Sequence, residues 1–563
     1  MTTNNIQIAN KTALFTTQVF LLIFMVSCGS GGGGSTTTPI PTTTTTITVG
    51  QLPTKSSSTF SYVSGGQQFS VESVPAGSSV GVAVFRNSAT TNESSDLTIG
   101  NQQFSKKEIS AKILKYSKPL RGQKVKDKMF KFSFTPNDRV KKSSKKSTRV
   151  DDPIGTRDSF YHSETKHPTT GERVEELQAF ELMYKSSKCL IYSEVNDDTD
   201  TTYITLSRSQ FIGDAFSTSN SFNSTSEPIF DVVTKTFGSP WGIDSDGNKV
   251  GDGGRDGEAP VIILIYNGSF DQSTLGYFYP VDEKEKGFIN PSDNYVSNGA
   301  EIVYINRFVA DDDIDVLGTL AHEFQHLCEF NQKEGVNGTF PVIEFNSDTT
   351  NQLISVLFNE GKSVLCEELN GFSLEITSSS TEIGNGFIFN AVNSYFNLIS
   401  FKKTSSLPNF FAFEGGGDDY GKGYLFWRFI YDTYGAAVVT SASKSSDYAP
   451  KSIETATGKD IDVLIQQFQM ALMQLNSGSP SDASNKISSI DVTKTYFSTK
   501  GVSLGKFDGL TYETGFPGSV IKNDDTYLFK FYKINPVDGK VSFTADNLES
   551  ASSFSIFTTI INK

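Results

Sequence analysis

The segment His322-Glu-Phe-Gln-His326 constrains the fold of this chain more than any other feature. It follows the acidic run Asp311-Asp-Asp313, which suits the positive end of a helix. Apolar residues recur through the region at helical spacing, namely Ile314, Leu317, Leu320, Ala321, Phe324 and Leu327. Histidines four residues apart project from one helix face, so both imidazoles can reach one zinc ion. Glu323 lies about 100° around the helix, where it can accept a proton from water at that metal. Two incidental histidines on a buried helix are the alternative.

Two histidines do not complete a catalytic zinc site, so a third ligand is needed. The extended HExxHxxGxxH pattern is absent, because Glu329 and Gln332 stand where it has glycine and histidine, and this excludes the metzincin arrangement. No histidine follows His326 in the chain. The third ligand should therefore be a carboxylate on a later helix, and Glu360 in Phe358-Asn-Glu-Gly-Lys-Ser363 is the obvious candidate.

HEFQH followed by FNEGKS resembles the gluzincin pattern of zinc peptidases, and more of the chain resembles the hyicolysin family of bacterial zinc metallopeptidases. The segments that carry this resemblance are Gly155-Thr-Arg-Asp-Ser-Phe160, Gly276-Tyr-Phe278, Ser297-Asn-Gly-Ala-Glu-Ile-Val-Tyr304, Thr319-Leu-Ala-His-Glu-Phe-Gln-His326 and Ala456-Thr-Gly-Lys-Asp460. It covers about 152–475 and is most specific at 319–326 and 358–368. The fold it implies is α+β, a thermolysin-like peptidase domain with a strand-rich and a helical subdomain and the cleft between them.

The resemblance also implies individual roles. His322, His326 and Glu360 would bind zinc, and Glu323 would act as the general base. Glu367, seven residues after Glu360, would orient a ligand histidine by accepting its hydrogen bond. The alternative for Glu367 is a solvent-exposed acid on a helix.

Two further expectations follow from zinc peptidases in general. Tyr420 resembles the aminopeptidase-type tyrosine that stabilises the oxyanion from just before a helix; Tyr424 is the second choice, and a core aromatic is the alternative. By analogy, the strand Ala300–Ile305 would be an edge strand that pairs with extended substrate. Main-chain pairing favours an endopeptidase that acts on flexible protein.

The N-terminal segment predicts an export signal. An apolar run over 12–26 ends in Met25-Val-Ser-Cys28, which resembles a bacterial lipobox, so 1–28 is predicted to be a lipoprotein signal peptide with Cys28 acylated. The Gly/Ser/Thr/Pro-rich stretch 29–50 is a flexible tether. These features place the protein on the bacterial cell envelope, with an ordinary secreted protein as the alternative.

The rest of the chain divides by pattern. Alternating apolar and polar residues predict an N-terminal β-sandwich-like domain over 51–150 and a C-terminal β-rich domain over 476–563. Strand and helix patterns mix over 151–475, which the resemblance implies is the peptidase domain. Sixteen Lys or Arg and three Asp or Glu lie between Lys106 and Arg149, which fits a solvated linker, a surface for anionic lipid or a processing site. The formal net charge of −14 argues against a nucleic-acid partner.

A second candidate metal site, for calcium, lies before the strand pattern at 261–265. Oxygen-bearing side chains alternate as in calcium loops at Asp244, Asp246, Asn248 and Asp252. The sixth position is Lys249 and the twelfth is Arg255, so the segment is not an EF-hand. A polar turn before a strand is the alternative.

The remaining residues that could be reactive or bind a metal are three cysteines and two histidines. Apart from Cys28, the cysteines are Cys189, Cys328 and Cys366, an odd number that leaves at least one unpaired. Cys328 and Cys366 each follow a predicted ligand by six residues, and either a bridge or two buried thiols fits. The remaining histidines, at positions 162 and 167, are predicted to lie at the surface.

The sequence therefore predicts a lipid-anchored zinc metalloendopeptidase that acts on proteins or peptides. A surface adhesin that keeps the same scaffold without cutting its partners is the rival, although a binder has no need of Glu323. A zymogen whose residues up to about 150 cover the cleft is a third hypothesis.

Overall fold

The computed structural model describes part of the chain, within one compact unit that spans 48–563. The described ranges are 59–62, 68–71, 76, 79–86, 96–99, 149–162, 177–196, 198–241, 256–268, 274–284, 286–289, 295–337, 349–372, 386–401, 410–411, 413, 416–445, 447, 449–477, 487–488, 490, 492, 495–497, 503–507, 513–514, 529–534, 541–546 and 554–561. The predicted signal peptide, the tether and Cys28 lie outside these residues, as do Asp244, Asp246, Asn248 and Asp252. Within them, no helix is long and apolar enough to cross a membrane.

The secondary structure mixes strands and helices. The strands are β1 Thr59–Tyr62, β2 Gln68–Val71, β3 Ser79–Arg86, β4 Asp96–Ile99, β5 Arg157–Tyr161, β6 Leu177–Lys185, β7 Cys189–Asn196, β8 Thr201–Thr202, β9 Val261–Tyr266, β10 Gly276–Phe278, β11 Ile302–Asn306, β12 Tyr496–Phe497, β13 Ser503–Gly505, β14 Glu513–Thr514, β15 Phe529–Ile534, β16 Val541–Asp546 and β17 Phe554–Ile561. The helices are α1 Leu206–Ser217, α2 Ile229–Phe237, α3 Asp313–Asn337, α4 Thr349–Leu369, α5 Gly386–Phe401, α6 Gly417–Tyr434, α7 Ala436–Lys444, α8 Lys451–Thr457 and α9 Ile461–Ser477. This mixture agrees with the predicted α+β class.

A seven-stranded mixed sheet forms the centre of the fold, in the order β10-β11-β9-β7-β6-β5, with β8 paired to β7. The strands β7, β9 and β11 run parallel, and the outer pairs are antiparallel. Strand β9 reads Val-Ile-Ile-Leu-Ile-Tyr and is buried throughout, as expected for a parallel strand covered on both faces. Alternate side chains of β9 enter two different hydrophobic clusters, one on each face of the sheet.

One face of this sheet carries the helices. The cluster on that face combines side chains of β9 and β11 with those of α1–α6, and α3 packs against β10, β11 and α4. The cluster on the other face is rich in aromatic residues, including Phe160, Tyr192 and Tyr295. The predicted metal helix therefore lies between the sheet and the helical part of the fold.

The sequence predicted two separate β-rich domains, over 51–150 and 476–563. In the structure, the described strands of these two regions pair with each other. Strand β3 pairs antiparallel with both β15 and β17, and β1 also pairs with β17. Strand β16 pairs with β2 and β4 in a second sheet. Each described N-terminal strand thus takes its partner from the C-terminal flank. Alternation located the strands but could not identify their partners, because it specifies a buried face and not a neighbour.

Candidate metal centre

The helix α3 begins where the acidic run predicted. The Oδ1 atom of Asp312 accepts hydrogen bonds from the backbone N–H groups of Ile314 and Asp315, both at 3.1 Å. These bonds satisfy two backbone donors that the first helical turn leaves without partners. The predicted apolar stripe of α3 is buried, as the helical spacing required.

Three potential ligands meet between α3 and α4. His322, His326 and Glu360 are buried, and each offers one ligand atom within 4.8 Å of the others. The Nε2 atom of His322 lies 3.2 Å from Oε2 of Glu360, and that of His326 lies 3.7 Å from Oε1. Among the described residues, Glu360 Oε1 is buried with no hydrogen-bond partner. A buried carboxylate oxygen without a donor is costly, and two imidazoles with one carboxylate form a donor set that could hold a metal ion at this place.

Glu367 lies directly behind one of these histidines. Its Oε1 atom accepts a hydrogen bond from Nδ1 of His322 at 2.9 Å, and its side chain is fully buried. The alternative of a solvent-exposed acid is therefore excluded. Because Glu367 holds the proton on Nδ1, Nε2 on the side of Glu360 is the nitrogen that is left for a metal once the ring is neutral.

The carboxylate of Glu323 is buried beside the ligands and held by the sheet. The backbone N–H of Phe278 in β10 donates to Glu323 Oε2 at 3.1 Å. Strand β10 approaches α3 so closely that a Cβ atom at Gly276 would lie 2.6 Å from Cγ2 of Thr319 and 3.2 Å from Cγ of Glu323. A glycine at this position thus allows the contact between strand and helix.

The prediction that Ala300–Ile305 forms an edge strand is wrong, because another strand lies at the edge of the sheet. Strand β11, which contains most of the predicted segment Ala300–Ile305, pairs on one side with β9 and on the other with β10. Strand β10, only three residues long, ends the described sheet on the side of the metal centre. The sequence pattern could not separate the two, because both strands are buried and apolar.

The charges of the site are strongly coupled. Burial alone would lower the pKa of His322, but hydrogen bonds to Glu360 and Glu367 outweigh it and raise the pKa to about 10. Burial would raise the pKa of Glu360, but the two imidazoles lower it to about 2. Burial raises the pKa of Glu323. Glu360 is therefore an anion whose charge is matched by a proton on His322, and a metal ion must displace that proton.

Tyr420 lies in the first turn of α6, not before the helix as predicted. Its hydroxyl is close to the carboxylates of Glu360 and Glu323, which together with burial raise its pKa well above 10. It is therefore a neutral hydrogen-bond donor at the site. The second choice, Tyr424, donates instead to Glu368 at 2.9 Å.

Close contact between α4 and α6 brings Tyr420 to this position. A Cβ atom at Gly361 would lie 2.4 Å from the backbone carbon of Gly423, and one at Gly423 would lie 2.7 Å from the carbonyl oxygen of Leu357. Two glycines at the crossing therefore let the helix backbones touch next to Glu360.

Four buried polar residues around His326 were not predicted: Gln325, Glu329, Lys362 and Ser363. Their spacing is a signal that could have found them. Polar residues recur at intervals of three or four along α3 and along α4, so each helix carries a polar stripe within an otherwise apolar interface. Buried polar groups must find partners, and two such stripes on neighbouring helices would satisfy each other.

The structure contradicts the prediction of a surface position for His162 and decides between the alternatives for the cysteines. His162 is buried, not at the surface, and its Nε2 atom lies 3.7 Å from Glu194. Cys189, Cys328 and Cys366 are all buried free thiols, so the bridge between the last two is absent.

Comparison of the sequence with protein-family models and with curated proteins found no match. A metal ion held by three protein ligands keeps a coordination position for water or substrate. Near the three potential ligands, the buried carboxylate of Glu323 can accept a proton and the neutral phenol of Tyr420 can donate a hydrogen bond.

Proposed function

We propose that the protein is a zinc-dependent metalloendopeptidase of the gluzincin type, with the thermolysin-like fold that its resemblance to hyicolysins implies. The observation that carries the proposal is the buried set His322, His326 and Glu360, with its ligand atoms within 4.8 Å of one another, and Glu323 beside it. Two imidazoles and one glutamate are the ligands of one class of catalytic zinc sites. The purely structural zinc sites of proteins are instead closed by four protein ligands.

Bound zinc would polarise the scissile carbonyl and acidify a water molecule at the open coordination position. Glu323 accepts the proton of the attacking water and passes it to the leaving amine. The Phe278 N–H holds Oε2 and thereby orients the carboxylate.

Two other groups act on the substrate and on the ligands. The hydroxyl of Tyr420 donates to the oxygen that becomes negatively charged in the transition state. Glu367 keeps the proton of His322 on Nδ1, so that Nε2 remains a ligand. Both groups are buried, so they are oriented before substrate binds.

The test is hydrolysis of casein, an unfolded protein substrate, by the chain without residues 1–28. We expect cleavage that a zinc chelator abolishes and added Zn²⁺ restores. The variant Glu323→Gln should keep its zinc and lose activity by about 10²–10⁴-fold, because it removes the proton acceptor alone. A folded, zinc-loaded wild type that cleaves nothing would favour the rival of a binding protein on the same scaffold.

We also propose that Cys28 is lipidated and holds the enzyme on the bacterial cell envelope. Incorporation of labelled palmitate into the wild type, and its loss in Cys28→Ala, would support this anchor. Label retained in the variant would contradict it.

A further inference from the structure

Strands from the two ends of the chain alternate in two of the smaller sheets. The first sheet has the order β1-β17-β3-β15-β14, and the second has the order β2-β16-β4. The strands β1–β4 precede the central sheet in the chain, whereas β14–β17 follow the last helix. Among the described strands of these two sheets, no two of β1–β4 are neighbours. The two sheets together are called the split β domain below.

Strand β3 has a C-terminal strand on each side. It pairs with β17 along its whole length, from Ser79 opposite Ile561 to Arg86 opposite Phe554. On its other side, residues 80–85 pair with Phe529–Ile534 of β15. Strand β16 lies in the same way between β2 and β4.

This alternation means that neither end of the chain can form the sheets alone. Without β15–β17, the backbone N–H and C=O groups of β1–β4 lose these partners, and a strand without a partner is not stable in water. Among the described strands β14–β17, only β14 and β15 pair with each other, and β14 is two residues long. The two ends of the chain must therefore fold together.

The C-terminal strands are also attached to the helical part of the protein. Helix α9 packs against β3 and β17, and α5 packs against β15. Between β13 and β14, the buried ring of Phe507 lies 4.8 Å, centroid to centroid, from the ring of Phe389 on α5. The helical part is thus joined to β14–β17 by packing as well as by the chain.

The connection from β4 to the central sheet contains the basic segment. Its sixteen Lys or Arg between Lys106 and Arg149 are the residue types after which trypsin-like proteases cut. The last of them, Arg149, is buried, with Nε 2.9 Å from Asp158 and Nη1 3.3 Å from Asp256. A cut before Arg149 therefore leaves the new chain end fixed to the central sheet.

We propose that the split β domain keeps the peptidase attached to its N-terminal anchor when the basic segment is cut. The piece that carries Cys28 and β1–β4 then stays bound through β15–β17. Because β3 lies between two strands, its release must break both ladders at once. The product is a two-chain enzyme, not a zymogen that has lost its N-terminal part. The inference rests on the anchor of the proposed function.

A cut at a defined place tests the inference without lipid and without catalysis. The chain that lacks residues 1–28 would carry an affinity tag ahead of Gly29 and be bound to a resin. A recognition site for a sequence-specific protease would be inserted between Ser143 and Ser144. After complete cleavage, seen on a denaturing gel, we expect residues 144–563 to stay on the resin in native buffer and to leave it in concentrated guanidinium chloride. Release of 144–563 in native buffer would overturn the proposal.

The matched control has the same recognition site in the tether. Inserted between Thr43 and Thr44, it precedes every described strand. Cleavage there should release the whole protein from the resin, which shows that bound material is held by the N-terminal piece. Retention after this cut would mean that the protein binds the resin without its tag, and would remove the support that retention after the first cut gives.

A variant of β3 identifies the contact that holds the pieces together. Val82 lies opposite Tyr532 of β15 and Thr558 of β17. Proline there removes a backbone donor from the middle of the strand, so Val82→Pro should release 144–563 after the cut at Ser143. Val82→Thr keeps the donor and the branched side chain and should retain it. Retention by a folded Val82→Pro protein would show that β3 does not hold the pieces.

The N-terminal piece alone gives a second test that needs no variant. Residues 29–143, expressed by themselves, should show a far-ultraviolet circular dichroism spectrum without strand structure and no cooperative unfolding. Cooperative unfolding of this piece, with a strand spectrum, would mean that it is an independent domain, and would contradict the proposal.

The outcomes separate this inference from the proposed function. Retention of 144–563 in a protein that cleaves no casein would refute the peptidase and support the split β domain. A wild type without palmitate would refute the anchor, whereas the result on the resin would stand. A palmitate-labelled chain whose residues 144–563 leave the membrane after the cut would refute the split β domain alone.

Discussion

Glu367 Oε1 and His322 Nδ1 are joined by a 2.9 Å hydrogen bond that links α4 to α3 behind the metal centre. The two residues lie 45 positions apart on consecutive helices. This bond and the contact of Glu360 with Nε2 join α4 to α3 at the same imidazole. A carboxylate in this position increases the basicity of the ring and fixes its tautomer. The site therefore depends on the packing of α4 against α3 as well as on the motif in α3 itself.

The first prediction concerns this carboxylate. Glu367→Ala should weaken Zn²⁺ binding about 10–100-fold, because His322 loses the acceptor that orients it. The matched control is Glu368→Gln at the next position, where the wild-type carboxylate accepts from Tyr424 and Arg428 and does not contact the ligands. Titration against a chelator measures both, and a control that loses as much affinity as Glu367→Ala would contradict the assignment.

The second prediction separates the two tyrosines of α6. Tyr420→Phe should lower kcat about 10²–10³-fold, the effect of removing one donor to a developing oxyanion. The affinity for Zn²⁺ should stay unchanged, because Tyr420 is not among the three ligands. Steady-state kinetics on a quenched fluorescent peptide, beside a zinc titration, gives both values.

Tyr424→Phe serves as the control for that substitution. It removes a hydrogen bond to Glu368 away from the ligands, so it should cost about 1 kcal/mol of unfolding free energy and leave kcat close to the wild-type value. If Tyr424→Phe lowers kcat and Tyr420→Phe does not, the roles of the two residues are reversed.

The sequence predicted the parts of this site that depend on local spacing. The interval of four between His322 and His326 is a property of one helix, and Asp312 starts that helix through bonds to its own neighbours. To predict Glu360 as the third ligand, it was enough to assume that a second helix brings a carboxylate close to the histidines of α3. Such features can be recognised before the tertiary structure is known.

The parts that the sequence could not predict depend on which surfaces meet. Ser363 and Gln325 can form a hydrogen bond only when α3 and α4 face each other in one register, and nothing local specifies that register. The same holds for β3, whose neighbours β15 and β17 lie at the other end of the chain. Alternation showed that these strands exist, and long-range packing decided their order.

The third prediction concerns the glycine where β10 meets α3. Gly276→Ala should destabilise the protein by about 1–3 kcal/mol, because the new methyl group would lie 2.6 Å from Thr319 Cγ2 and 2.8 Å from the carbonyl oxygen of Tyr304. Activity should fall further than stability predicts, since Glu323 is in the same contact and is held by β10. Chemical denaturation and peptide hydrolysis measure the two effects.

Thr319→Ser offers a partial rescue of that substitution. It removes the Cγ2 atom nearest the new methyl group, and the carbonyl oxygen of Tyr304 remains. The double variant should therefore recover part of the lost stability. A Gly276→Ala protein with wild-type stability and activity would show that β10 can move away from α3 without cost.

The last prediction uses a buried acid on the face of the sheet away from the helices. Asp282 accepts hydrogen bonds from the hydroxyl of Tyr304 at 2.6 Å and from the backbone N–H of Asn298 at 2.8 Å. Burial nevertheless raises the pKa of Asp282 to about 7, because desolvation outweighs these donors. The folded pKa thus lies above the unfolded value of about 3.9, and the stability that protonated Asp282 provides is complete below pH 4 and is lost as the pH rises towards 7.

Asp282→Asn should remove this pH dependence, since the amide resembles the protonated acid in shape and cannot ionise. The difference in unfolding free energy between variant and wild type should therefore change by about 4 kcal/mol between pH 4 and pH 8, in favour of the variant at the higher pH. Denaturant titrations of both proteins across this range measure the difference, and comparison with the variant cancels the other titrating groups. A constant difference over the whole range would mean that the pKa of Asp282 is the same in the folded and the unfolded protein, and that Tyr304, Tyr295 and Asn298 compensate fully for its burial.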